Sequence, residues 1–219
     1  AQNIEAMKID AVVMRHPTPG AANHLTDFID SVVINAGDGT HEHPTQAILD
    51  MMSLHEKFGK LKGLKVAIVG DILHSRVALS NIYGLITMGA EVMLCGPSNL
   101  IPVQLKELGV KISYKINEAL EWADALNVLR IQRERMGKSL VPSIREYREL
   151  FGITSKKLSQ HKKEIVVMHP GPMNRGVEID GDVADGDQAL ILDQVLNGVA
   201  SRMSILFLLC GGKNSNGEN

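Results

Sequence analysis

The chain has 219 residues, a formal net charge of −2 and 44% hydrophobic content, which suits one large domain or two small ones around a buried core. Its 23 basic and 25 acidic residues leave no cationic footprint for nucleic acid or for an acidic membrane surface. Cys95 and Cys210 lie far apart in apolar segments, which points to reduced core residues in a cytoplasmic protein and away from a disulfide framework.

The sequence opens AQNIEAMKIDAVVMRH, already inside what reads as a helix feeding a strand. The expectation is that an N-terminal portion is absent. Residues 11–14 form a short apolar run that predicts a buried strand, with Arg15 and His16 at its carboxyl end. Residues 31–35 predict a second strand. A loop then leads into a helix from 44 to about 58, within GDGTHEHPTQAILD. Pro44 suits the first helical position. Gln46 follows His43 by three, the spacing of a capping box with histidine in the capping place. Ile48, Met51, Met52 and His55 recur at helical spacing. A helix start presents unpaired N–H groups and partial positive charge. His43, Thr45 and Gln46 gathered there suit a polar, anionic or carbonyl-bearing ligand. The alternative is a capped helix with an exposed histidine.

A repeating strand–helix pattern follows. Strands are predicted at 65–69, 91–95, 110–114, 125–129 and 165–168. Helices are predicted at 75–88, 103–108, 117–123, 143–151, 155–161 and 187–209, the first closed by Gly89. The most apolar stretch, residues 205–210, is too short to span a bilayer. This alternation predicts an α/β fold, a doubly wound parallel sheet covered on both faces. Ligands of such sheets bind beyond the carboxyl ends of the strands. Of the ends of the strands at 11–14, 31–35, 65–69, 91–95, 125–129 and 165–168, four carry an arginine and four a histidine. A cationic rim of this kind suits a small, doubly anionic substrate or a pair of substrates.

Each motif has a plainer reading. VAIVGDILHSR stands where a dinucleotide fingerprint would stand, but only Gly70 precedes the helix, which argues against NAD. Arg76, in the first turn of the next helix, is either a site group or a solvated surface arginine. His41 and His43 could share a metal only with a third ligand such as His169, and no metal is expected. In LRIQRERMGK, Arg130 is nearest the strand end and best placed to face a cleft, while Arg133 and Arg135 suit a surface ion-pair cluster. In MHPGPMNRG, Pro170 and Pro172 stiffen the backbone around Gly171, so its carbonyls could face an NH₂ donor. A stiff strand exit, with a cis proline, is the alternative.

Taken together, MRHPTPGAA, NAGDGTHEHPTQAILD, VGDILHSR, LRIQRER and MHPGPMNRGVEID resemble the aspartate transcarbamoylase family in order and spacing, over nearly the whole chain. The sister ornithine enzymes share an HPTQ-like helix start but typically carry a cysteine in the later loop, where this chain has HPGP. The resemblance implies transfer of a carbamoyl group from carbamoyl phosphate to the amine of L-aspartate, in pyrimidine synthesis, with no cofactor and no covalent intermediate. It implies that Arg15 and His43 polarise the carbamoyl carbonyl. Gln46 and the carbonyls of Gly171 and Pro172 would hold the carbamoyl NH₂. Arg76 and Arg130 would bind the aspartate carboxylates, with Gln132 in support. It further implies a homotrimer with active sites shared between subunits, and dihydroorotase or regulatory chains as additional partners.

One departure accompanies it. The family's Ser-Thr-Arg-Thr-Arg phosphate loop and its Ser/Lys loop are not in this sequence. The expectation is that both lie upstream of Ala1. On that reading residues 1–43 end the carbamoyl-phosphate domain and 44–186 form the aspartate-binding domain. Residues 187–210 are a helix returning to the first domain with an exposed apolar face, and 211–219 a disordered tail. The chain alone would be inactive. Two other readings are a non-catalytic homologue that binds an amino acid or assembles with an active enzyme, and a nicotinamide oxidoreductase. The retained His43, Gln46, Arg76 and Arg130 argue against decay.

Overall fold

The computed structural model describes residues 1–131, 143–161 and 163–211. The chain begins with α1 (Gln2–Glu5), β1 (Ala11–His16), α2 (Ala21–Leu25) and β2 (Val32–Asp38), and β1 and β2 pair in parallel. Next come α3 (Pro44–Phe58), β3 (Lys65–Val69), α4 (Arg76–Thr87) and β4 (Glu91–Cys95). Two 3₁₀ turns, Ser98–Leu100 and Val103–Leu108, lead to β5 (Lys111–Ser113), α5 (Ile116–Trp122) and β6 (Ala125–Val128). The chain closes with α6 (Ile144–Phe151), α7 (Ser155–Leu158), β7 (Val166–Met168), α8 (Gly181–Ala184) and α9 (Ile191–Cys210).

The second sheet has the order β5-β4-β3-β6-β7, and every pair in it is parallel. Its central strands are continuous apolar runs because both faces are covered. Ala67 and Val69 face a core shared with α5 and α6, while Val66 and Ile68 face a core shared with α4. The chain winds outward from β3 to β5, then returns to β6 on the other side of β3. The direction of winding therefore reverses between β3 and β6, where the carboxyl ends of the two strands open a crevice.

Several boundaries differ from the sequence expectation. The second strand runs on through Gly37 to Asp38, since Asp38 pairs with His16 beyond a bulge that puts an extra residue in β2. The last helix starts at Ile191, four residues late, because residues 188–190 run along β7: Val167 N donates to Gln188 O and Leu190 N to Val167 O. Residues 159–161 leave the helix at α7, and the short α8 has no apolar period to announce it. Gln46 is not the second half of a capping box; its amide reaches forward to Asp50, and no side-chain cap joins His43 to the helix start. The Ile48 stripe of α3 is not its buried face either. Ile48 is 42% exposed, whereas Gln46, Asp50 and Ser53 are buried.

α9 is long and apolar enough by composition to cross a membrane. Its inner side is polar, however, with Gln194, Asn197 and Ser201 buried. Gln194 Nε2 donates to Asp50 Oδ1, and Asn197 Nδ2 donates to Ser53 Oγ and Glu56 Oε2, all on α3. The apolar side, including Leu192, Val195, Leu196 and Phe207, is exposed.

Candidate active site

The crevice between β3 and β6 opens into a cleft of about 290 Å³. Three groups of residues converge on it. Arg15 comes from the end of β1, with His43 and Gln46 from the start of α3. Ser75, Arg76 and Val77 come from the start of α4, and Leu129 and Arg130 follow β6. Pro170, Gly171 and Pro172 follow β7.

Local structure explains each placement. The loop between β2 and α3 is wound around Asp38. Its carboxylate accepts hydrogen bonds from Gly20 N at 2.6 Å, Asn35 Nδ2 at 3.0 Å and Glu42 N at 3.0 Å, and contacts His41 Nδ1 at 3.1 Å. Burial pushes that carboxyl up, but these bonds outweigh it and hold Asp38 at about 2. His43 then caps α3 by position, and its backbone N–H donates to Ser80 Oγ on α4 at 2.9 Å. After β3, Ser75 caps α4 by accepting from Ala78 N at 3.2 Å, which sets Arg76 in the first turn at the cleft edge. In the 170–172 loop, Gly171 has φ +63° and is followed by a cis peptide to Pro172. Gly171 N donates to His169 Nδ1 at 2.9 Å.

The electrostatics of the cleft are cationic, and they act on His43. Burial, then the fields of Arg76, Arg202 and Arg15, lower its pKa from 6.5 to about 4. At neutral pH His43 is a neutral imidazole, able to donate one hydrogen bond without carrying charge. With Arg15 it forms a pair of fixed donors suited to an oxygen that gains negative charge.

The structure thus brings together Arg15, His43, Gln46, Arg76, Arg130, Gly171 and Pro172. Gln132, like Arg133 and Arg135, lies outside the described residues. The three histidines weighed for a metal do not converge. His41 turns to Asp38, and His169 is buried with Nε2 3.5 Å from Glu178 Oε1. Sequence reasoning missed Ser75 and Ser80, which are ordinary serines until the helix is placed. It also missed Asp50 beneath the cleft, although the Gln46–Asp50 spacing of four was a readable sign.

Residues 62–209 match the family model described as the Asp/Orn binding domain of aspartate/ornithine carbamoyltransferase. Residues 1–56 match its carbamoyl-P binding domain. The chain belongs to the aspartate/ornithine carbamoyltransferase family. It is 58% identical over 213 residues to the aspartate carbamoyltransferase catalytic subunit of Gemmatimonas aurantiaca, covering 97% of this chain and 67% of that one. It is 59% identical over 207 residues to the corresponding subunit of Christiangramia forsetii, covering 94% and 67%. Among solved structures of this carbamoyltransferase family, aspartate transcarbamoylase from Trypanosoma cruzi in complex with carbamoyl phosphate is similar at a TM-score of 0.82 and 27% identity, over 94% of this chain and 69% of that one. Ornithine carbamoyltransferase from Pyrococcus furiosus is similar at 0.81 and 25%, over 95% and 69%.

Proposed function

We propose that the cleft between β3 and β6 binds carbamoyl phosphate and L-aspartate together and transfers the carbamoyl group to the aspartate amine, giving N-carbamoyl-L-aspartate and phosphate. The chain is an aspartate carbamoyltransferase. One observation carries the placement of the reaction: Arg15, His43 and Gln46 meet Arg76, Arg130 and the 170–172 loop in a single cleft. On this reading Arg15 and neutral His43 donate to the carbamoyl oxygen and stabilise the negative charge that builds on it as the amine attacks. Gln46 and the carbonyls of Gly171 and Pro172 accept from the carbamoyl NH₂. Arg76 and Arg130, supported by Gln132, hold the two aspartate carboxylates by charge-assisted bonds. Holding both substrates in one cleft supplies the entropic part of the acceleration.

Residues 1–43 are proposed to end the carbamoyl-phosphate domain, 44–186 to form the aspartate domain and 187–210 to return to the first. A cytoplasmic homotrimer with sites shared between subunits completes the proposal, resting on the resemblance. The test is calorimetry of the protein with N-(phosphonacetyl)-L-aspartate, which joins both substrate shapes in one molecule. Binding that is lost in Arg76→Ala and Arg130→Ala supports the assignment. Undiminished binding in both variants moves the aspartate site elsewhere.

A further inference from the structure

The acceptors assigned above to the carbamoyl NH₂ come from distant parts of the chain, yet one line of hydrogen bonds joins them through the core. The backbone N–H of His169, at the foot of the 170–172 loop, donates to Gln194 Oε1 at 2.9 Å. A backbone N–H can only donate, so the Gln194 amide has one permitted sense. Its Nε2 accordingly donates to Asp50 Oδ1 at 2.7 Å. Gln46 Nε2 donates to the same oxygen at 2.9 Å. With its NH₂ held in the core, Gln46 has Oε1 as the end left for the cleft that it lines. The other oxygen of Asp50 accepts from Asn81 Nδ2 at 2.8 Å and Asn127 Nδ2 at 3.1 Å.

Neither Asp50 nor Gln194 lines the cleft, and they are 0% and 3% exposed. A carboxyl in that place is expensive to bury, and packing alone would be served as well by an apolar side chain. Its chemistry explains its presence. All four amides that meet Asp50 donate to it, the sense an accepting carboxylate requires, and these bonds oppose the burial that pushes its carboxyl up. Were the Gln46 amide free to turn over, its NH₂ would face the substrate NH₂, donor against donor.

We propose that Asp50 and Gln194 are positioning residues for carbamoyl recognition, locking the Gln46 carbonyl oxygen and the foot of the 170–172 loop in the sense that accepts the substrate NH₂. The inference rests on the functional reading above, and its test separates the two. The probes are carbamoyl phosphate and acetyl phosphate, the latter carrying CH₃ where the former carries NH₂. Their affinities are measured for the unaltered protein, Gln194→Met, Gln194→Asn and Asp50→Asn. In both Gln194 variants the affinity for carbamoyl phosphate is expected to fall about tenfold, the size of a lost hydrogen bond, while acetyl phosphate changes little.

Asp50→Asn is the conservative control. Gln194 is fixed by His169, so the new side chain keeps its oxygen toward Gln194 and Gln46. Its NH₂ then meets Asn81 and Asn127, whose Oδ1 atoms are buried without a hydrogen-bond partner among the described residues and can turn to accept, Asn81 giving up its 3.1 Å bond to Val77 O. Discrimination between the two probes should stay within about threefold of the unaltered protein. A purely structural role would lower both affinities together in the Gln194 variants, and that outcome overturns the proposal. In the unaltered, ¹⁵N-labelled protein, slow exchange of the Gln46 and Gln194 side-chain amide protons is required, and fast exchange of either overturns it whether or not the variants fold. Failure of the unaltered protein to bind carbamoyl phosphate would fault the functional reading instead.

Discussion

A Cβ atom on Gly37 would lie 2.7 Å from Nε of Arg76. Gly37 is in β2 and Arg76 opens α4, so the absence of a side chain on one strand gives the guanidinium on the other unit its room. Gly37 also has φ +117°, a conformation that L side chains rarely adopt. Gly37→Ala should therefore do two separable things. Backbone strain should destabilise the fold by about 1–3 kcal/mol, read by denaturant unfolding. In a full-length version of the catalytic chain, displacement of Arg76 should raise KM for aspartate about tenfold to a hundredfold, the range for a charge-assisted contact. A loss of stability with an unchanged KM would show that Arg76 does not reach aspartate from this position.

His43 gives a pH dependence of known sign. Its folded pKa is about 4 against an ordinary 6.5. Between those values the unfolded chain takes up a proton at His43 that the folded chain refuses. Stability from this group is therefore complete above pH 6.5 and is lost as pH falls toward 4, by at most about 1.4 kcal/mol per pH unit and less after solvent screening. The slope of unfolding free energy between pH 7 and 5 should flatten in His43→Gln. The His43 imidazole resonances of the unaltered protein should show no midpoint between pH 5 and 8. A His43 midpoint near 6.5 would mean that neither burial nor the arginines act on it.

How far the sequence could be read depended on what each residue answers to. The strands at 65–69 and 91–95 were legible because burial on both faces leaves only apolar residues after the opening Lys65 and Glu91. Arg76, Arg130 and His43 were legible because strand ends and helix starts are where such a sheet binds ligands. Asp50 and Gln194 were not legible as a pair. They are 144 positions apart and meet only once α9 lies on α3. The polar period Gln194, Asn197 and Ser201 on an otherwise apolar helix was the available sign, and it was masked by the apolar side. The strand end at Asp38 was missed because pairing with His16 across a bulge is tertiary.

The cysteines should differ in reactivity. Cys95 is 0% exposed, and burial, with Glu118 adding to it, pushes its thiol up to about 12. Cys210, at the end of α9, is partly exposed. Iodoacetamide on the folded protein at pH 8 should add one label per chain, at Cys210, with Cys95 modified only after denaturation. Prompt labelling of both would show that the core around β4 opens readily.

Arg130 is the most direct test of the cationic rim. It follows β6 on the far side of the winding reversal from Arg76, and both line the same cleft. Two arginines on neighbouring strand ends suit a dicarboxylate better than a substrate with one acidic group. In a full-length version of the catalytic chain, Arg130→Ala should lower kcat/KM for aspartate about tenfold to a hundredfold, from the loss of about 1.5–3 kcal/mol. KM for carbamoyl phosphate should change far less, since its assigned contacts are Arg15, His43, Gln46 and the 170–172 loop. Arg130→Lys should recover only part of the loss, because an ammonium lacks the forked geometry that matches a carboxylate. Steady-state kinetics with each substrate varied in turn decide the matter. Equal losses for both substrates would mean that Arg130 shapes the cleft as a whole, and full recovery in the lysine variant would reduce its part to charge alone.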